Sequence, residues 1–305
     1  MFYIVGILHL TGYTEFAIAQ NKAFVSLIWA TLGVFTFLSS FLLASKYSFN
    51  TGSEVMTFYK KRVLRFYPLF LISSLLLLLI HFNTWPETWK GLLGLSPFWT
   101  PQQHTLWYIA MLIGLYLLTP FFCRGSIKYQ LVGFICCMAI ILVIDATFHS
   151  VDPRVYYYYI VYFAGILSAK YWQSGFLKLI NSKYTLLLLS IYLPLFGYLL
   201  MGKGNRILMM CEGYIGIVAL LNICACVGNV LQSNRTFTKV ISYLSYASMC
   251  AYLFHREVYW MLMALYTPSS NDWYIILYLF FIGVPVTFFL SYYIQRGYDK
   301  LVSRI

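Results

Sequence analysis

Apolar residues run along this chain in helix-sized stretches of about 20 residues, divided by short polar breaks. Ten such segments lie near 1–20, 24–45, 63–83, 105–122, 129–149, 155–172, 184–201, 207–230, 240–266 and 274–294. The alternating strands of about 10 residues that a β-barrel needs are missing from the pattern. No internal repeat, low-complexity linker or soluble appendage interrupts the series, and no secretory signal stands apart from the first segment. The pattern predicts an all-α, polytopic integral membrane helix bundle of about ten transmembrane helices, one domain over residues 1–305.

The polar positions supply an orientation. With the N-terminus inside, fifteen of the 21 Lys and Arg fall in inner loops and the inner tail, and five in outer loops. Arg256 is left within segment nine. Cations gather on the cytoplasmic side, so both termini are expected in the cytoplasm. The Tyr156–Tyr159 run and the Trp85, Trp89 and Trp99 group are expected at the membrane interfaces, where amphipathic rings settle. The longest outer loop, 84–104, is rich in Trp, Pro and Gly, and is expected to re-enter the membrane or cap a cavity.

Composition agrees with the pattern. The chain is 61% hydrophobic and 10% charged, against roughly 25% charged in soluble domains. Its net charge of +12 is a topology signal, and no nucleic-acid partner is expected. The seven cysteines show no C-x-x-C pair and no zinc spacing with histidine, so neither a disulfide framework nor a metal site is predicted; they read as small core residues.

Ionisable groups inside spans are costly and usually face a cavity. His9 lies about half way along segment one and is a candidate general base, with Glu15 six residues on. From the residues alone, His9 is as open to a packing role as to catalysis. His81 and His149 read as hydrogen-bonded packing residues, and Glu15, Asp145 and Glu212 as outer-interface carboxylates. His255, Arg256 and Glu257 stand together; the last two either pair with each other or find partners on other helices. The stretch "YKKRVLRFYP", residues 59–68, places Lys60, Lys61, Arg62 and Arg65 against a long apolar run. Such a cluster fixes helix orientation and attracts anionic headgroups. Arg62 and Arg65 are spaced i,i+3 and are expected to share a face, which suits bidentate phosphate binding. Pro68 is expected to disrupt the start of the span.

Six stretches, in order, resemble the acyltransferase 3 family of bacterial membrane acyltransferases. They are "ILHLTGY", "FTFLSSFLLASKY", "YKKRVLRFYPLF", "HTLWYIAMLIGLYLLTPFF", "SYLSYASMCAYLFHREV" and "SYYIQRGYDKLV". The resemblance implies transfer of an acyl group, commonly acetyl, from cytosolic acyl-CoA to a hydroxyl, often on a sugar of an exported or cell-envelope glycan. It implies a bacterial inner-membrane enzyme whose partners are acyl-CoA, a carbohydrate acceptor and the lipid bilayer, with acetyl-CoA as donor substrate rather than a permanently bound cofactor. Carried over by motif, His9 is the catalytic histidine, and Arg62 and Arg65 serve the donor. Ser39, Trp107, Tyr116 and His255 match further motif positions, and with Glu15 are expected in substrate or supporting roles.

There are departures. The family's Arg about eleven residues before the first-segment His has no counterpart, because only eight residues precede His9; a first helix truncated at its N-terminus is expected. Ser40 stands where the family has Gly, a small change that keeps close packing. The competing reading is a transporter or flippase of a lipid-linked saccharide. It expects paired broken helices near the midplane, and none stands out.

Overall fold

The computed structural model describes residues 21–303 apart from 101, 104, 176–179, 181–183, 232–233 and 267–271. The helices are α1 (Lys22–Lys46), α2 (Gly52–Leu79), α3 (Trp85–Leu92), α4 (Trp107–Cys123), α5 (Ile127–Phe148) and α6 (Pro153–Tyr171), then α7 (Thr185–Leu200), α8 (Arg206–Leu231), α9 (Arg235–Leu265), α10 (Asp272–Tyr278) and α11 (Val284–Val302). A π-helical turn, Leu279–Gly283, joins the last two. No strand occurs among the described residues. By length and composition α1, α2, α5, α8 and the continuous Tyr274–Val302 stretch can each cross a membrane; α4 and α7 are shorter apolar helices. The protein is a multi-pass membrane helix bundle. The first predicted segment, with His9 and Glu15, lies outside the described residues.

Helix α1 is the axis of one half. It packs most extensively along α6 and α8 and also meets α7 and α4. Its contact face carries small residues: Ala30, Gly33, Ser40 and Ala44. Ser40 is fully buried, and a Cβ placed on Gly165 of α6 would collide with the Ser40 hydroxyl and the Phe37 carbonyl. Small residues let helix backbones approach where lipid offers no hydrophobic drive for association. The expectation that Ser40 preserves close packing is met. In the other half, α9 packs along α11, and α2 joins them and carries α3.

Two expectations are corrected. The Tyr156–Tyr159 run is not an interfacial belt: Tyr157, Tyr158 and Tyr159 are among the most deeply buried side chains. α6 is walled by α1 and α4, and its rings stack on Tyr214 and Phe134. Hydroxyl bonds from Tyr158 to the Trp29 carbonyl (3.4 Å) and from Tyr159 to the Phe134 carbonyl (3.1 Å) make that burial tolerable. Second, α2 begins at Gly52, not near 63, and runs unbroken through Pro68. Proline removes the N–H that would reach the carbonyl four residues back, here Leu64; the Tyr298 hydroxyl of α11 donates to that carbonyl instead. The 84–104 segment contains the helix α3, started by a bond from the Thr84 N–H to the Glu87 carboxylate (2.7 Å).

Gly165→Val is expected to destabilise the bundle by about 1–3 kcal/mol, since the α1 backbone cannot recede. Thermal unfolding in detergent would read this as a lower midpoint. An unchanged midpoint would mean that the α1–α6 contact is looser than described.

Candidate functional site

The basic stretch of α2 is helical throughout, because Thr51 and Glu54 start the helix upstream. The Glu54 N–H donates to the Thr51 hydroxyl (3.2 Å), and the Asn50 N–H to the Glu54 carboxylate (2.8 Å). One turn of that helix then sorts the two arginines. Arg62 is half-buried, its guanidinium carbon 5.6 Å from the Phe58 ring centre and 5.5 Å from that of Tyr116. Its Nε is buried without an acceptor. Tyr116 in turn shares a 2.8 Å hydrogen bond with Ser39 of α1. Beside it, Thr119 and Tyr162 share one of 2.5 Å. Ser39, Arg62 and Tyr116, predicted from separate motifs, thus meet in one cluster.

Arg65 goes elsewhere. It is exposed and lines, with Lys61, a cavity of about 490 Å³ between α2, α9 and α11. The opposite walls carry Ser245, Ser248 and Tyr246 of α9 and Gln295, Tyr298 and Asp299 of α11. Asp299 accepts from the Tyr246 hydroxyl (2.5 Å) and the Gln295 amide (2.7 Å); its single negative charge stands against the positive charges of Lys61 and Arg65, so the field in the cavity is positive. The i,i+3 spacing therefore does not aim both arginines at one partner. The i,i+4 pair Lys61 and Arg65 shares a cavity, and Lys61 was missed as its member.

Trp107 and His255 lie toward the other end of the bundle. Nine residues separate Trp107 from Tyr116 on α4, about 13 Å of helix. Trp107 leads through ring contacts with Tyr108 (5.9 Å) and Tyr252 (6.0 Å from Tyr108) to His255 (6.0 Å from Tyr252). His255 is 2% exposed, and its Nδ1 lies 2.8 Å from the Tyr252 carbonyl. The Arg154 guanidinium lies 3.8 Å over the Trp107 ring and is paired with the Asp152 carboxylate and the Gln102 amide. Glu257 accepts from Ser73 of α2 at 2.6 Å, while Arg256 lies 4.4 Å over the Phe82 ring. Arg256 and Glu257 thus make their direct contacts with other elements, and their charges act on each other without a direct ion pair.

The remaining ionisable groups sort differently from expectation. His81 and His149 are exposed at left-handed backbone positions, φ 56° and 48°; they end helices rather than pack. Glu212 is fully buried and accepts from Ser26 of α1, so it is no interface carboxylate. Asp145 accepts from the Tyr156 hydroxyl (2.9 Å) and the Val151 N–H (3.3 Å) and ties the α5–α6 turn.

The acyltransferase 3 family model, described as an acyltransferase domain, matches residues 1–296. The chain belongs to the acyltransferase 3 family. No curated protein and no solved structure matches it. As an acyltransferase, the protein brings Ser39, Arg62 and Tyr116 together, sets Arg65 at a neighbouring cavity, and keeps Trp107 and His255 on a separate aromatic chain. Arg62 and Arg65, expected to serve a donor, lie on α2, and His9, expected in catalysis, lies outside the described residues.

Asp152 supplies the one pH prediction. Burial acts to raise its carboxyl pKa, but the hydrogen bonds and charge of Arg154 outweigh this and hold it below its ordinary value of 3.8. A lowered folded-state pKa contributes stability above the unfolded value, and that stability is lost as pH falls through the folded value. Asp152 also caps α6 through the Arg154 N–H (2.8 Å). Asp152→Ala is expected to cost about 1 kcal/mol or more at neutral pH and to flatten the fall in melting temperature below pH 4. Equal acid sensitivity in both proteins would remove Asp152 from this role.

Proposed function

We infer that this acyltransferase moves an acyl group, acetyl foremost, from cytosolic acyl-CoA to a hydroxyl of a cell-envelope or exported glycan in the bacterial inner membrane. The family match over residues 1–296 carries the reading. On it the bundle has ten spans with both termini cytoplasmic, in keeping with the distribution of Lys and Arg. Lys61, Arg65 and the hydroxyls facing them then stand at the cytoplasmic mouth, where an anionic CoA is drawn in and held. Arg62, over the Tyr116 ring, takes the next position inward.

The chemistry assigned to His9 is proton transfer. The acceptor hydroxyl oxygen attacks the thioester carbon as His9 takes the hydroxyl proton. The C–S bond breaks, and the proton passes to the departing thiolate. The products are the O-acyl ester and free CoA thiol. Arg62 and Arg65 serve the donor; the Phe58 and Tyr116 rings lie against Arg62, and Ser39 holds Tyr116 by its hydrogen bond.

The test is release of free thiol from acetyl-CoA by reconstituted protein, with and without an envelope-glycan extract. His9→Ala is expected to lower kcat by about 100-fold or more, the usual worth of a general base. Arg65→Gln is expected to raise KM for acetyl-CoA about tenfold with little change in kcat, as loss of a charge-assisted contact does. Added salt should weaken donor capture in wild type more than in Arg65→Gln. Thiol release that ignores both substitutions would overturn the roles given to His9 and Arg65, and no release with no acetyl-CoA binding would overturn the reading in favour of a saccharide transporter.

A further inference from the structure

Arg256 is 5% exposed, and its situation differs from that of every other buried charge at its end of the bundle. Arg154 has Asp152 and Gln102. Lys90 donates to the Thr100 carbonyl at 2.6 Å. Glu257 is held by Ser73. Among the described residues no carboxylate or other acceptor lies within hydrogen-bond reach of the Arg256 guanidinium: its Nε is buried without an acceptor, the Phe82 ring lies against one face, and the neighbouring Glu257 carboxylate acts on it only at longer range. A guanidinium cannot shed its proton to escape this. A buried charge without a partner costs several kcal/mol, and in a membrane bundle such a charge marks a ligand path.

The surroundings repeat the theme in neutral groups. The Gln103 amide nitrogen donates to Ser74 of α2 at 3.0 Å, but its carbonyl oxygen is buried without a donor. The Thr105 hydroxyl and both polar atoms of the Asn83 side chain are buried and unpartnered. The Thr105 carbonyl meets Tyr252, one turn of α9 before Arg256, at 2.7 Å. Gln103 is thus tied to α2, Thr105 to α9 one turn from Arg256, and Asn83 follows the Phe82 ring that faces Arg256, so these unmatched groups sit on the elements that neighbour the cation. Ten residues, or about 15 Å of helix, separate this point from Tyr246 in the Lys61–Arg65 cavity.

We propose that Arg256 binds an anionic group of the acceptor, the carboxylate of an acidic glycan, with Asn83, Gln103 and Thr105 meeting its hydroxyls. A sugar hydroxyl both donates and accepts, which suits this mixed set, and a carboxylate takes both arms of a guanidinium. This rests on the acyltransferase reading, with the donor entering at the opposite end.

Two measurements test it. In the first, the envelope-glycan extract is split on an anion exchanger into acidic and neutral pools, and transfer of labelled acetyl to each is followed. Label is expected in the acidic pool. Arg256→Gln should cut it about tenfold or more, the worth of a charged hydrogen-bonded contact, and Arg256→Lys should restore part. Binding of acetyl-CoA should be unchanged. Label confined to the neutral pool, or unchanged in Arg256→Gln, overturns the proposal and leaves the acyltransferase reading standing. The second needs no reaction: the melting temperature with a triuronide and with a neutral trisaccharide. The triuronide alone should raise it, and only when Arg256 is present. Without ligand, Arg256→Gln should melt at or above wild type, because an unpaired charge has been removed. A large drop would make Arg256 structural, and no triuronide shift in wild type would also overturn the proposal. Absence of all thiol release together with a triuronide shift would overturn the enzyme and keep the anion site.

Discussion

Inside a membrane bundle there is no water to satisfy a polar group, so each one must be met by another helix. That constraint organises this structure. Pro68 leaves the Leu64 carbonyl without its helical donor, and the Tyr298 hydroxyl of α11 takes the place. Ser73 of α2 donates both to the Leu253 carbonyl (2.8 Å) and to Glu257 of α9. The Tyr252 hydroxyl reaches the Thr105 carbonyl just before α4. Each bond joins helices distant in sequence. Together they hold α2 against α9 and α11 along much of its length, and so fix the walls of the cavity that Lys61 and Arg65 line.

The same constraint explains how one short basic stretch serves two directions. A helix turns 100° per residue, and α2 lies between α4 on one flank and the α9–α11 pair on the other. Arg62 falls toward the aromatic side, where Phe58 and Tyr116 cover its delocalised charge without desolvating it against bare hydrocarbon. Arg65, three residues on, opens to the cavity with Lys61. A guanidinium stacked on rings stays in place and keeps its donors for a ligand. An exposed cation in a wide mouth supplies field. The two therefore suit different parts of one long anionic donor.

What was legible in the sequence follows from which signals are local. Helix existence is local: apolar runs of span length mark every described span, and the cation count suggests an orientation. Helix ends were less legible. The start of α2 was missed although Thr51 and Glu54 form a T-x-x-E signal, because hydropathy weighs residues 52–62 as a loop. The effect of Pro68 is not local at all, since its compensation comes from Tyr298, 230 residues away. Tyr157–Tyr159 failed for a similar reason: a tyrosine is as suited to an interface as to a core that offers its hydroxyl a carbonyl, and only the packing of α1 and α4 on α6 decides. Ser39, Arg62 and Tyr116 were each picked out by a separate motif, but their meeting depends on three helices and has no local signal. The roles of Lys61 and Arg256 have no motif, and each emerges only from what surrounds it.

Arg154 and Arg256 show why surroundings carry more than residue type. Both lie toward the same end of the bundle, and both present a guanidinium to an aromatic face, Trp107 and Phe82. Arg154 is closed by Asp152, Gln102 and a helix cap, so its charge is already spent on structure. Arg256 adjoins a carboxylate in sequence, but adjacent residues diverge around a helix, and Glu257 is claimed by Ser73. A sequence that merely needed to neutralise Arg256 has a simple solution one helical turn away, three or four residues to either side, where Tyr252, Leu253, Tyr259 and Trp260 stand instead. The neighbouring positions are aromatic or aliphatic, not acidic. A chain that keeps a buried cation and withholds its counter-charge at each of these positions is arranged so that the counter-charge comes from outside.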